Sequence, residues 1–300
     1  MIRIIIALSA LLICVRSYSQ DGAALAVAEG GQGLVKTNIT TIYEHTWKGE
    51  SDYFSLRGSY EFVSGKRFTL SGNMRYSIFD LKFRDNWFQQ GANVTPAELN
   101  GDHHVLNAGI NASFRTMLWG KPFISLAMVT SDFDKKGFRK IGGIVAGLFM
   151  LRLTRDTQFG IGLLALVNSN SKCPVFPMFI YRHRFNDLWA INLSGGMFTA
   201  DFTPSRNDII NIGADIDVRS FYFNPSSPAL HETCKYQKSV TRPMIRYRRK
   251  LGRHFYTVIS GGVELKLTSR VYYGVSDRKN YMEVDVPTSP FGSISAGYTF

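Results

Sequence analysis

The sequence predicts an all-β fold, a transmembrane antiparallel up-and-down β-barrel of about 12 strands, with about 14 as the alternative. Three observations carry that prediction. The last strand alternates, with Gly292, Ile294, Ala296, Tyr298 and Phe300 on one face and Ser293, Ser295, Gly297 and Thr299 on the other. A closed barrel pairs its last strand with its first, and outer-membrane strands are apolar outside, polar inside and aromatic at the interfaces. Second, period-two alternation persists over about 10 residues at a time, the length a tilted spanning strand needs. Third, a short apolar leader precedes a chain in which no later stretch offers about 18 consecutive apolar residues for a helical span. Lipid admits only helices and closed barrels, because every backbone N–H and C=O must be paired internally.

The leader has Arg3, an apolar stretch at 4–15 and then Ser17-Tyr18-Ser19, small residues of the kind a signal peptidase reads. Cleavage is expected after Ser19, which makes 1–19 a signal peptide, 20–33 an N-terminal periplasmic segment and 34–300 the barrel. An apolar run of about 12 residues is too short for a helical anchor. Cys14 admits a lipoprotein reading, against which the bulky Ile13 argues.

The barrel elements follow from period two. The strand expected at 34–47 is joined by a short link to 51–63, where Phe54, Leu56, Gly58, Tyr60 and Phe62 oppose Tyr53, Ser55, Arg57, Ser59 and Glu61. After the Ser64-Gly65-Lys66 turn, 67–81 sets Phe68, Leu70, Gly72, Met74, Tyr76 and Ile78 against Arg67, Thr69, Ser71, Asn73, Arg75 and Ser77. In 103–117, Leu106, Ala108, Ile110, Ala112 and Phe114 oppose Asn107, Gly109, Asn111, Ser113 and Arg115. Further strands are expected at 121–131, 139–152, 157–168, 175–185, 188–198, 239–250, 253–270 and 288–300. Turns at Leu118-Trp119-Gly120, Thr154-Arg155-Asp156, Asn186-Asp187 and Leu251-Gly252 join them on the periplasmic side, with long outer loops at 82–102, 199–238 and 271–287 and shorter ones at 132–138 and 169–174. The stretch 139–152 is apolar on both faces, so its inner face is expected to be apolar, with Ile144, Ala146, Leu148 and Met150 inward and Leu164 and Leu166 beside them. The segment 207–222 alternates as well as any strand but breaks the parity, so it is expected within an outer loop; if it spans, a second strand near 281–286 is needed and the count becomes about 14.

The run Phe176-Pro177-Met178-Phe179-Ile180-Tyr181-Arg182-His183-Arg184-Phe185, then Leu188-Trp189-Ala190-Ile191-Asn192-Leu193, and the strand Gly261-Gly262-Val263-Glu264-Leu265 resemble an uncharacterised family of outer-membrane β-barrel proteins found mainly in Bacteroidete-type bacteria. The resemblance covers roughly the last 130 residues and its motifs are structural. It implies the fold and the outer membrane of a Gram-negative bacterium, and transfers no catalytic residue.

The chain carries 35 Lys and Arg against 23 Asp and Glu, and the leader holds only two of those cations, so the mature chain keeps a positive excess. A charge on the lipid face costs about 2–4 kcal/mol at the midplane. The excess therefore belongs inside, where Arg57, Arg75, Arg115, Arg182, Arg184, Arg246, Arg248 and Lys266 fall on the inward register with the acids Glu61 and Glu264. This predicts either a cationic lumen that attracts anions or a narrow barrel filled by ion pairs. A passive pore or small-solute binder is the leading expectation. The alternatives are a closed structural or interaction barrel working through its outer loops and a transporter of a hydrophobic or amphipathic molecule.

No enzyme is expected. A serine nucleophile needs a histidine and an orienting group, and none of His45, His103, His104, His183, His231 and His254 stands in such an arrangement. Neighbouring His103 and His104 point to opposite faces of a strand, so no metal site or cofactor is expected. Behind a signal peptide the basic balance does not point to nucleic acid. Cys173 and Cys234 fall in loops on the same side along an oxidising export route, and are expected to pair. The expected partners are outer-membrane lipids and the barrel-assembly machinery, for which Tyr298 and Phe300 are the signal, and the barrel is expected to be a monomer.

Overall fold

The computed structural model describes residues 37–48, 51–88, 94–167, 175–194, 196–224, 233–273 and 280–300. The leader and the 20–33 segment lie outside the described residues. In chain order the strands are β1 (Asn38–Thr46), β2 (Ser51–Ser64), β3 (Phe68–Leu81), β4 (Gly101–Leu118), β5 (Lys121–Asp134), β6 (Gly137–Leu153), β7 (Thr157–Val167) and β8 (Val175–Arg184). They continue as β9 (Trp189–Ser194), β10 (Met197–Phe202), β11 (Asp208–Phe223), β12 (Cys234–Leu251), β13 (Phe255–Tyr272), β14 (Tyr281–Glu283) and β15 (Ser289–Thr299).

Each strand pairs antiparallel with its sequence neighbour from β1 to β13, and β13 pairs with β15. The first strand closes on the last, from Asn38↔Thr299 to Thr46↔Phe291. The three-residue β14 pairs only with β13, so fourteen strands form the wall. Closure leaves no sheet edge around most of the circumference, as lipid requires. Short turns gather at the end that holds both termini of the wall, which is the periplasmic end in barrels of this kind.

The count of about 12 strands is corrected to fourteen. The expected strand 188–198 is a hairpin: Ser194 pairs with Met197, and Gly196 adopts φ 85°, a left-handed conformation that glycine reaches without steric cost. The segment 207–222 lies in the wall as β11 and not in an outer loop, since it pairs with β10 and, over its full length, with β12. The expected loop 199–238 therefore contains most of β10, all of β11 and the start of β12. The second missing strand is β10; Tyr281–Glu283 is only a short addition above the wall.

The faces follow the alternation. Leu56, Met74, Ile110, Val145, Ile245 and Ile294 are exposed, each on a different strand, while Ser55, Ser71, Arg75, Asn107, Asn111 and Ser113 are buried. An apolar ring around a whole molecule far exceeds the few hundred Å² a water-facing surface carries, and it places the wall in a bilayer. Aromatic residues mark the periplasmic rim, where Trp119, 85% exposed in its turn, stacks on Phe149 at 5.5 Å between centroids. At the other rim the segment between β3 and β4 folds inward through a turn at Asp85–Trp87 and a one-turn helix at Pro96–Leu99. Its Trp87, Val94 and Leu99 are buried with Phe79, Phe221, Tyr236 and Val284 in an outer core.

Candidate functional site

The lumen divides into an outer and a periplasmic half. In the outer half the strand pattern aims carboxylates and cations from four strands at one point. Arg242 of β12 grips Glu44 of β1 with two bonds, Nη2 to Oε1 at 2.7 Å and Nη1 to Oε2 at 3.1 Å. The same Nη2 lies 2.5 Å from Glu264 Oε1 on β13 and 3.0 Å from Asp217 Oδ2 on β11. Arg219 of β11 reaches Glu44 Oε1 at 2.7 Å and Asp217 Oδ2 at 2.8 Å, and Lys238 Nζ donates to Glu264 Oε2. Three cations meet three carboxylates. Glu44 and Glu264 are each 3% exposed, a burial that charged groups tolerate only when paired and hydrogen-bonded.

Aromatic residues close over this cluster. The Arg219 guanidinium sits 4.0 Å above the Tyr53 ring and that of Arg242 4.7 Å from Phe291. Higher up, Phe221 of β11 stacks on His103 of β4 at 4.0 Å and approaches Phe79 at 5.8 Å and Tyr236 at 5.0 Å. In the strand order β4 and β11 stand on opposite sides of the ring, so these contacts bridge the outer mouth. A polar chain bridges it too. Arg75 donates to Asn107 Oδ1 at 3.0 and 2.6 Å, Asn107 to Asp132 at 2.6 Å, and Tyr222 of β11 to the other Asp132 oxygen at 2.8 Å.

The periplasmic half differs. Arg115 lies near the end of β4, Arg182 and Arg184 end β8, Arg248 lies near the end of β12, and Arg57 sits mid-way along β2. Among the described residues none of these five forms an ion pair; the Nε atoms of Arg57, Arg115 and Arg248 are buried without a hydrogen-bond partner, as is that of Arg242 in the outer cluster, so the absence of carboxylates is what sets these arginines apart. The Arg248 guanidinium does rest 4.8 Å from the Tyr256 ring.

A third surface is apolar. Leu126, Met128, Ile144, Ala146, Leu148, Met150, Leu164, Leu166, Phe176, Met178 and Ile180 form one buried cluster on the inner face of β5 to β8. The apolar inner face expected for 139–152 and its neighbour is therefore present, and it continues one strand further on each side, onto β5 and β8.

The sequence-predicted residues thus separate. Glu264 lies at the centre of the outer cluster and Arg75 in the polar chain. Arg246 lies 3.5 Å from Asp215, Lys266 pairs with Asp285 above the wall, and Glu61 lies beside the bulge near the end of β2. Sequence reasoning missed Glu44, Asp217, Arg219, Lys238 and Arg242. The signal was present for Arg242, which shares the two-residue row of Arg246 and Arg248. His103 and His104 do face opposite ways, His103 stacking on Phe221 and His104 bonding Tyr76 Oη at 2.5 Å. Cys173 lies outside the described residues, and Cys234 is buried in the outer core. Tyr298 and Phe300 face each other at 4.8 Å on the seam strand, where Phe300 N–H donates to Thr37 O at 3.0 Å.

No protein-family model matches the sequence, and no curated protein matches it. Among solved structures the chain is similar to an outer-membrane channel from Pseudomonas putida F1, at 10% identity and a TM-score of 0.42 over 89% of this chain and 96% of that one. It is also similar to the KdgM porin, at 10% identity and 0.35 over 88% and 99%, and to the CymD monoaromatic hydrocarbon channel, at 11% and 0.33 over 93% of each. These likenesses are distant. The closed strand ladder and its apolar belt make this chain a transmembrane β-barrel.

Proposed function

We propose that this protein is an outer-membrane channel of a Gram-negative bacterium that passes small anionic or amphipathic solutes, in keeping with its resemblance to the Bacteroidete-type barrel family. The observation that carries this reading is the set of arginines in the periplasmic half. Arg57, Arg115, Arg182 and Arg248 have no carboxylate partner among the described residues, whereas the outer cluster is neutral. Cations left without counter-charges inside a barrel raise the local concentration of anions and set selectivity. A fourteen-strand wall lies between barrels of about 8 strands, filled by their own side chains, and porins of 16 or more, which hold an aqueous channel. Planar-bilayer recording across a KCl gradient tests the proposal. Openings whose reversal potential lies toward the chloride potential are expected; silence at all voltages, or cation selectivity, overturns it.

The apolar cluster on β5 to β8 favours the amphipathic end of that solute range. A lumen passing only hydrated ions gains nothing from eleven buried apolar side chains along one side, whereas an acyl chain or aromatic ring is well matched to them. Mass spectrometry of protein extracted in several mild detergents is expected to find a co-purifying amphiphile; its absence throughout removes this preference and leaves the anion reading standing.

A further inference from the structure

Among the described residues one sector of the wall is short. Strands β9 and β10 have six residues each, against the roughly 9–11 that a tilted strand needs to cross hydrocarbon. Their hairpin rises from the periplasmic rim and ends inside the membrane. Its neighbours continue past it. Among the described residues the β8–β9 ladder ends at Ile180↔Ser194, so Phe176, Pro177, Met178 and Phe179 of β8 lie beyond the last described pair. The β10–β11 ladder stops at Met197↔Asp215, with one further bond from Ile216 N–H to Gly196 O at 3.1 Å, so Val218, Arg219, Ser220 and Phe221 of β11 lie beyond it.

Two features set the upper part of β11 apart at this level. Ile212 is exposed on the lipid face, but Ile216 and Val218, which continue the same row, are buried. Beyond them Phe221 and Tyr222 make the cross-mouth contacts to β4 and β5 described above. While still paired with β12, the upper part of β11 thus reaches across the lumen to β4 and β5. Pro177, with no N–H to give a neighbour, stands on the β8 side of the resulting seam, the edge position where a sheet accepts proline.

The same geometry fixes what the seam adjoins. Axial passage outward meets the aromatic contacts of Phe221 and, beneath them, the Glu44–Arg242–Glu264 cluster. The apolar cluster of the lumen ends on β8 at Phe176, Met178 and Ile180, beside the seam. The geometry points to a lateral portal: between β8 and β11, above the β9–β10 hairpin, an amphiphile with an acyl or aromatic body passes between the outer leaflet and the apolar side of the lumen. Backbone edges at membrane depth are tolerated only where protein or a cavity covers them, and a portal filled in turn by cargo and by the neighbouring chain meets that condition. The portal stands on strand lengths and apolar surface, not on the arginines of the proposed anion path.

The test is photocrosslinking of the full-length protein in phospholipid nanodiscs, with benzoylphenylalanine placed singly at Met178, at Phe198 and at Asn111. Phe198 faces lipid and reports the maximal yield of lipid adduct by mass spectrometry. Asn111 faces inward on β4, where the wall is paired on both sides. A portal gives Met178 an adduct yield near that of Phe198 and about tenfold above Asn111, the contrast between a side chain reached by hydrocarbon and one behind a closed wall. A Met178 yield equal to that of Asn111 overturns the portal, whether both are low or both high. In a second variant the hairpin is lengthened by about four residues on each arm, to the length of a spanning strand. Retention of heat-modifiable gel migration shows that it folds; the Met178 adduct should then fall to the Asn111 level with the Phe198 adduct unchanged, and a persisting Met178 adduct also overturns the portal. A barrel silent in planar bilayers yet labelled at Met178 loses the anion reading and keeps this one.

Discussion

The two halves of the lumen use the same side chain differently. In the outer half Arg242 and Arg219 are surrounded by Glu44, Asp217 and Glu264, so charge is cancelled where it is buried. From the middle of the wall to the periplasmic rim, Arg57, Arg115 and Arg248 have no carboxylate neighbour among the described residues. The difference teaches that inward arginine is not one kind of evidence: partner geometry separates the residues that hold the wall from those left for solute. The largest expected effect comes from breaking the outer half. Arg242→Met leaves two buried carboxylates short of their main partner, and removal of one member of a buried pair costs about 3–5 kcal/mol. Urea unfolding in bilayers, followed by heat-modifiable gel migration, should show that loss; a change under about 1 kcal/mol means the cluster is solvated and the two halves are alike.

Lys238→Met sharpens the same comparison at smaller size. Glu264 loses Lys238 but keeps Arg242 at 2.5 Å, so what disappears is one hydrogen bond to a charged group, worth about 1.5–3 kcal/mol. The same unfolding measurement should rank it below Arg242→Met. If the two variants lose equally, Lys238 is as central to the cluster as Arg242, and the bidentate grip on Glu44 is not what distinguishes the outer half.

Much of this fold was legible because alternation is a local property with a global consequence. Ser55, Ser71 and Asn107 face inward because a strand has two faces and lipid accepts only one kind of residue. The apolar inner faces of β6 and β7 were readable from runs such as Ile144-Val145-Ala146-Gly147-Leu148, in which neither face is polar. The β9–β10 hairpin was missed although its signal is local too. A two-residue link shifts the alternation by one, from polar Asn192 and Ser194 to polar Thr199 and Asp201, so both that phase change and the Gly195-Gly196 pair marked a reversal within 188–198. The outer ion cluster was largely illegible, since its carboxylates come from β1, β11 and β13, and no spacing within one strand announces a meeting across the barrel. Glu264 alone was identified from its row; its cations Arg242 and Lys238 stand on the adjoining β12, whereas Asp217 and Arg219 join the cluster only because β11 is a wall strand.

The smallest expected effect on stability lies in the periplasmic half, where it carries the most functional information. Replacing Arg57, Arg115 and Arg248 together by glutamine keeps polar side chains of similar reach and removes three cations for which the described residues supply no counter-charge. With no ion pair to break, the Arg57 and Arg115 changes should each stay within about 0.5 kcal/mol in the unfolding measurement, and the Arg248 change, which also loses the Tyr256 ring contact, within about 1 kcal/mol. The reversal potential in a KCl gradient should nevertheless move toward zero, because the anion preference of a pore follows the charge that lines it. A variant that unfolds like the Arg242→Met protein would show these arginines to be structural. Unchanged stability with an unchanged reversal potential would place the selectivity elsewhere, at Arg182 and Arg184 near the β8–β9 turn, where the same substitution and the same two measurements decide whether the periplasmic rim governs the anion path.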